Sequence, residues 1–303
     1  MPMTHRRGVW LMVACTLMWS MAGVVSRWLD SARGFELTFW RSFFCALTLA
    51  LLLAALRGPA RLWRTLRGGG PALWVSALCW ATMFTAFMLA LTLTTVANVL
   101  ITLALGPLLT ALAARVALGH RMPPRTWGAI AVAGAGIAWM YGHELGLQGG
   151  SPLLGMAVAL CVPVAGATNW TLMQHLHHGD DEGGDMLPAV LLGALISALL
   201  TLPLALPFAA SARDIGWLAM LGAVQLGIPC VLAVAVSRVL KAPEIALLAL
   251  LEVVFGVVWA WLGAGEAPSL AVLGGGALVI GALVFDGWLG LRASPGRVVS
   301  VQA

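Results

Sequence analysis

An all-α integral membrane protein is the architecture this sequence predicts: ten transmembrane helices arranged as a 5+5 inverted-topology repeat around a central cavity. Three observations lead there. The chain is 61% hydrophobic and 10% charged, against about 25% charged in an ordinary soluble domain. Apolar runs long enough to cross a bilayer recur from one end to the other. The second half of the sequence also echoes the first.

Composition excludes several classes. A chain of 303 residues with a mean hydropathy of +0.95 has too much apolar surface for a soluble core to hide, so a lipid bilayer is its natural solvent. The net charge of +5 does not point to nucleic acid, because the basic residues sit in short loops between apolar runs rather than on a basic domain or helix. Cys15, Cys45, Cys79, Cys161 and Cys230 each lie inside an apolar run and form no CxxC pair, as expected of small buried hydrophobes. The loop HLHHGDDEGGD fits no metal-ligand spacing. No cofactor is expected.

Ten spans can be placed in order, at about 8–29, 35–56, 71–92, 95–117, 125–142, 152–174, 186–208, 215–239, 243–263 and 269–290, each near the 20 residues that cross about 30 Å of hydrocarbon. The first begins like a signal peptide, MPMTHRRGVWLMVACTLMW, but many spans follow it and it lacks a small-x-small cleavage site, so it is predicted to be a retained helix. RGPARLWRTLRGGGP separates spans two and three, GHRMPPR spans four and five, and HLHHGDDEGGD spans six and seven; TLTT and LKAPE are weaker breaks. With the N-terminus in the cytoplasm, thirteen basic residues fall on the cytoplasmic side (Arg61, Arg64 and Arg67 among them) and three outside (Arg27, Arg33 and Arg213), while Arg41 falls within a span. That bias predicts both termini inside.

VANVLITLALGPLLTALAARVALGHRMP aligns without gaps on APEIALLALLEVVFGVVWAWLGAGEAPS, which places Gly119-His120 opposite Gly265-Glu266. Trp19-Ser20 of span one lies opposite Gly166-Ala167 of span six. Residues 1–146 and 147–292 therefore read as two repeats, with 293–303 as a cytoplasmic tail. Five spans per repeat force the second to enter from the opposite side, and inverted repeats place a site near the midplane between the halves.

Four segments carry a family resemblance: WSMAG in span one, the arginine of FWRSFF in span two, the Asn98-Val99 and Gly106-Pro107 pairs of span four, and LLE in span nine followed by Gly265-Glu266. In these the chain resembles the EamA-like branch of the drug/metabolite transporter superfamily over about residues 8–290. The resemblance implies a ten-helix bundle around a central cavity, spans five and ten at the periphery, and export or exchange of small metabolites; members include aromatic amino acid exporters. Two positions depart from the family pattern. Val253 stands where a proline usually follows the span-nine glutamate, and His120 stands where the first repeat usually closes with glutamate.

Polar residues at helical spacing mark faces turned away from lipid. Span four carries Thr95, Asn98, Thr102, Gly106 and Thr110, with Pro107 expected to bend it. Trp19 and Ser20 in span one, Thr82 and Thr85 in span three, Asn169 in span six and Gln225 in span eight complete a candidate substrate cavity, with Trp80 and Trp170 as further aromatic walls. The same small and hydroxyl residues also serve simple helix–helix packing. Glycine runs in spans five and ten, GAGIAW and GGGALVIGA, read as close packing rather than phosphate loops.

Glu252 stands in the middle of the otherwise apolar LALLEVVFGV. A charge at that depth costs about 2.5–3.5 kcal/mol on insertion scales, so the side chain should avoid lipid. Ala249, Gly256, Ala260 and Gly263 share its side of the helix and should carry it inward. It must be neutral or stand near a cation, and Arg41, roughly 9 Å inside span two at 1.5 Å per residue, is the candidate partner. Functionally, Glu252 would couple proton movement to transport or recognise a substrate amine; structurally, it would order the bundle through a fixed ion pair.

The expected function is a secondary transporter that moves a small, amino acid-like metabolite by alternating access, with the bilayer, the solute and a possible coupling proton as partners, no nucleic acid, and a monomer or weak homodimer as the assembly. The expected location is a bacterial inner (plasma) membrane. The alternatives are a membrane-embedded enzyme, or a non-transporting partner acting on lipid-linked substrates. No GxSxG, HExxH or paired-carboxylate motif supports an enzyme.

Overall fold

In the computed structural model, residues 3–118, 124–147, 151–177, 186–240 and 242–292 are described. His120, residues 178–185 of the histidine- and acid-rich loop, and the 293–303 tail lie outside the described residues. The described chain is helical throughout: α1 (His5–Trp19), α2 (Met21–Arg27), α3 (Phe35–Arg57), α4 (Pro59–Gly68), α5 (Pro71–Leu93), α6 (Val96–Leu103), α7 (Gly106–Leu118), α8 (Pro124–Leu147), α9 (Ser151–His177), α10 (Leu187–Ala205), α11 (Ala212–Met220), a π-helical turn at Leu221–Gly227, α12 (Ile228–Val236), α13 (Ala242–Ala264) and α14 (Leu270–Arg292). Among the described residues, eight segments are long and apolar enough to cross a bilayer; α8 and α14 carry shorter apolar stretches, Trp127–Gly136 and Leu270–Ala282.

Local chemistry explains the boundaries. Thr4 caps α1 by accepting the Arg7 N–H, and Thr95 caps α6 by accepting the Asn98 N–H. Ser211 and Asp214 form a reciprocal capping box at α11. The span-four helix breaks between Leu103 and Gly106, as the proline at 107 predicts: that residue lacks an N–H, and its ring clashes with the carbonyl four residues back. By contrast α13 runs unbroken past Glu252, where Val253 keeps the N–H that a proline would remove.

Three features differ from the sequence expectation. RGPARLWRTLRGGGP contains the short helix α4: Gly58 turns the chain at a φ of +80°, Pro59 starts the helix, and Leu62 alone is buried while Arg61, Arg64 and Arg67 stay in solvent. The first span breaks at Ser20, whose hydroxyl donates to the Leu17 carbonyl. The eighth contains the π turn, in which Ile228 N–H bonds to the Ala223 carbonyl five residues back. Pro229 explains the register change, since it cannot supply the N–H that an α-helix would aim at the Gln225 carbonyl.

Small residues set the packing. A Cβ on Gly222 would lie 2.5 Å from the Arg41 carbonyl and 2.8 Å from the Cys45 nitrogen, so the π turn sits directly on the α3 backbone. The small face of α13 turns inward as expected: Gly256 meets Leu100, Gly263 meets Val24 and Trp28, and Ala260 is buried. Helices α8 and α14 pack on each other, with Trp127, Trp139, Leu270 and Phe285 exposed on their outer surfaces.

Carboxylates tie neighbouring segments together at one end of the bundle; Asp214 and Glu36 are buried and Glu266 is partly exposed. Asp214, fully buried, accepts N–H bonds from Asp30 (2.8 Å), Ser31 (2.9 Å), Ala32 (3.0 Å) and Ser211 (3.3 Å). Glu36 accepts from Ala209 and Ala210 at 2.9–3.1 Å. Glu266 bonds Arg27 at 3.2 Å and accepts the Val96 N–H at 3.0 Å, while Arg27 also donates to the Leu91 and Thr94 carbonyls. This end is called the latched face. The other carries the start of α1, where an exposed His5–Glu244 pair stands at 3.5 Å.

Candidate functional site

A cavity of about 150 Å³ lies between these ends. Aromatic and aliphatic side chains make most of its wall, Trp19, Trp80, Phe84, Phe87 and Trp170 being the largest. Met12, Thr110, Ile245 and Ala249 carry the lining toward the end where α1 begins. Among the described residues, α8 and α14 contribute nothing to it.

Charge enters the cavity at two points. Arg41, one and a half turns into α3 and 3% exposed, donates through Nε (3.2 Å) and Nη2 (2.9 Å) to the Gln225 Oε1. Gln225 in turn donates from Nε2 to the Trp19 carbonyl at 2.9 Å, where the first span breaks. The Phe87 ring covers the guanidinium with 5.6 Å between the Arg41 Cζ and the ring centroid. Three helices thus fix the Arg41 head: α3 supplies it, the π turn clamps its edge, and α5 covers its face. Glu252 lines the same cavity from the centre of α13.

The expected Arg41–Glu252 ion pair is not closed. Among the described residues, Glu252 makes no hydrogen bond and no ion pair within 4 Å, and the Arg41 contacts go to Gln225 instead. The cause is geometric. The π turn brings a neutral amide oxygen against the guanidinium, so the cation is held without being neutralised.

Of the ten residues singled out from the sequence, Trp19, Arg41, Gln225 and Glu252 lie on the cavity wall. The other six do not. Ser20 spends its hydroxyl on Leu17, as noted. Thr85 shares a 2.9 Å hydrogen bond with Ser197, which in turn contacts Ser42 at 2.9 Å, tying α5, α10 and α3 together. Asn169 accepts from Ser76 at 2.6 Å and joins α9 to α5. Asn98 donates to Thr94, and Thr102 donates back to the Asn98 carbonyl, so both serve α6 and its packing. Thr82 is exposed on the outer surface of α5. Sequence spacing missed Phe84, Phe87, Met83 and Pro163, which line the cavity as apolar residues on otherwise apolar helices. It also passed over Glu36 and Asp214; the one available signal was the SARD spelling of a capping box at 211–214.

An apolar multi-helix bundle with a charged cavity at mid-depth defines a polytopic integral membrane protein whose interior can hold a small solute. Residues 6–142 match the EamA-like transporter family. That family lies within the drug/metabolite transporter superfamily, and its members are transporters. A solved structure described only as "Crystal structure of protein" superposes with a TM-score of 0.68 at 18% identity, covering 96% of this chain and 100% of the other; that likeness bears on the fold alone. No curated protein sequence matches the chain.

Proposed function

We propose that this protein is a secondary transporter that exports or exchanges a small amphipathic metabolite of amino-acid type by alternating access. One observation carries the reading: a largely aromatic cavity holds a cation and a carboxylate that do not pair with each other. An aromatic box with opposed charges suits a solute with an apolar body and polar ends.

Helix contacts support the inverted repeat of residues 1–146 and 147–292, ten spans in all. Exchanging the repeats pairs α5–α9 with α12–α1, α7–α9 with α13–α1, and α10–α5 with the π turn–α3 contact; α3–α10 and α8–α14 map onto themselves. Each of these contacts exists, as a two-fold axis in the membrane plane requires. On this reading both termini are cytoplasmic, the latched face is outside, and the membrane is a bacterial inner membrane. Glu252 is the group whose change of protonation couples outward movement of the solute to inward movement of protons.

Purified protein in liposomes tests this. Counterflow of a labelled amino acid from a panel is expected with wild type, and a pH gradient is expected to drive net movement. Glu252→Gln is expected to retain counterflow and to lose the response to the gradient. A variant that matches wild type at every pH removes proton coupling through Glu252; no counterflow of any solute removes the transporter reading.

A further inference from the structure

The residues that line the cavity leave two buried donors without a partner: Arg41 Nη1 and Trp80 Nε1. Both side chains are 3% exposed. A guanidinium and an indole offer donors and no acceptor, so neither is satisfied by the other. A buried polar atom without a partner has lost its hydration with no bond in exchange, and the loss is larger for a charged group. Such a debt in a cavity is settled by whatever fills the cavity.

The arrangement around Arg41 is specific. Gln225 Oε1 occupies the Nε and Nη2 edge, Phe87 covers one face, and only Nη1 is left. Gln225 cannot rotate freely, because its amide nitrogen is bound to the Trp19 carbonyl. An amide oxygen orients the guanidinium without cancelling its charge, whereas a glutamate of nearly the same size would cancel it.

We propose that Arg41 Nη1 and Trp80 Nε1 form a subsite for the carboxylate of the solute, and that Gln225 is the positioning residue that keeps Arg41 oriented and unneutralised. The proposal rests on the cavity being a solute site, and it names the chemistry required there: an organic carboxylate on an apolar or aromatic body.

The test compares 3-phenylpropionate with its isosteric amide, 3-phenylpropionamide, by calorimetric titration of the purified full-length protein in detergent. Wild type is expected to prefer the carboxylate by about tenfold or more, the equivalent of one hydrogen bond to a charged group. Gln225→Glu is expected to abolish that preference while binding the amide as well as wild type does. Gln225→Met, which leaves the charge but frees its orientation, is expected to fall between. A purely structural role for Gln225 would weaken both probes together and would overturn the positioning assignment. Equal affinity of wild type for the two probes, including no binding of either, overturns the subsite. Arg41→Met is the direct companion; where it does not fold, Gln225→Glu carries the test, since it leaves no buried charge unpaired. Binding is read without a membrane, so a negative result leaves the counterflow experiment independent, and carboxylate binding without counterflow of any solute would remove transport while keeping the subsite.

Discussion

Asp214→Ala is expected to lower the thermal midpoint of the purified protein by about 10 °C, from a loss of about 3 kcal/mol at roughly 2–4 °C per kcal/mol for a large chain. The carboxylate is fully buried and receives four backbone N–H groups, three of them from the loop joining α2 to α3. The substitution leaves those donors without their acceptor in a part-buried loop. It also removes half of the capping box that starts α11. Asp30→Ala is the control. Its ion pair with Arg213 spans 3.2 Å, but both side chains are more than half exposed, and such pairs are worth at most about 1 kcal/mol. Thermal unfolding of both variants in the same detergent checks the contrast; equal midpoints would mean that the loop is held by something other than Asp214.

Gly222→Val is expected to cost about as much, near the top of the roughly 1–3 kcal/mol range for overpacking. The atoms that an added Cβ would strike belong to the α3 backbone, at Arg41 and Cys45, and cannot rotate away. Helix α3 must separate from the π turn, and that separation pulls Arg41 from Gln225. The expected result is a lower midpoint together with loss of carboxylate preference in the binding assay. Gly216→Val, on the same span but with nothing within 4 Å of its Cβ, is expected to behave as wild type. Wild-type stability in Gly222→Val would show that the two helices can part without cost.

Much of the fold was legible because lipid imposes long apolar runs, and helix ends fell within about three residues of the expected limits except near 142. Pro107 announced its break, and the Ala249–Gly263 face of α13 announced its inward turn. What remained hidden depends on contacts between distant segments. The π turn follows from Pro229 together with the close approach of Gly222 to α3, and only the first is visible in a single sequence. At the site, charge and size were the usable signals: a buried Arg41 or Glu252 has few places to go in a bilayer. Hydroxyls and amides carried little information. A residue such as Asn169 or Thr85 turned from lipid meets either a cavity or a neighbouring helix, and both look alike in the spacing. Thr82 shows the limit of even that rule, since a lone threonine is tolerated on an outer surface.

The carboxylates gathered at one end bear on how evenly the protein would run in its two directions. On the proposed cycle, opening that end means detaching Asp214, Glu36 and Glu266 from their partners, whereas the His5–Glu244 pair described at the opposite end is exposed to solvent. The resting ensemble then leans toward one orientation, and a solute arriving from the disfavoured side has its apparent affinity reduced by the fraction of molecules open to it. Half-saturation measured from the two sides of the membrane would differ by that factor even with identical contacts inside, making the molecule a rectifier.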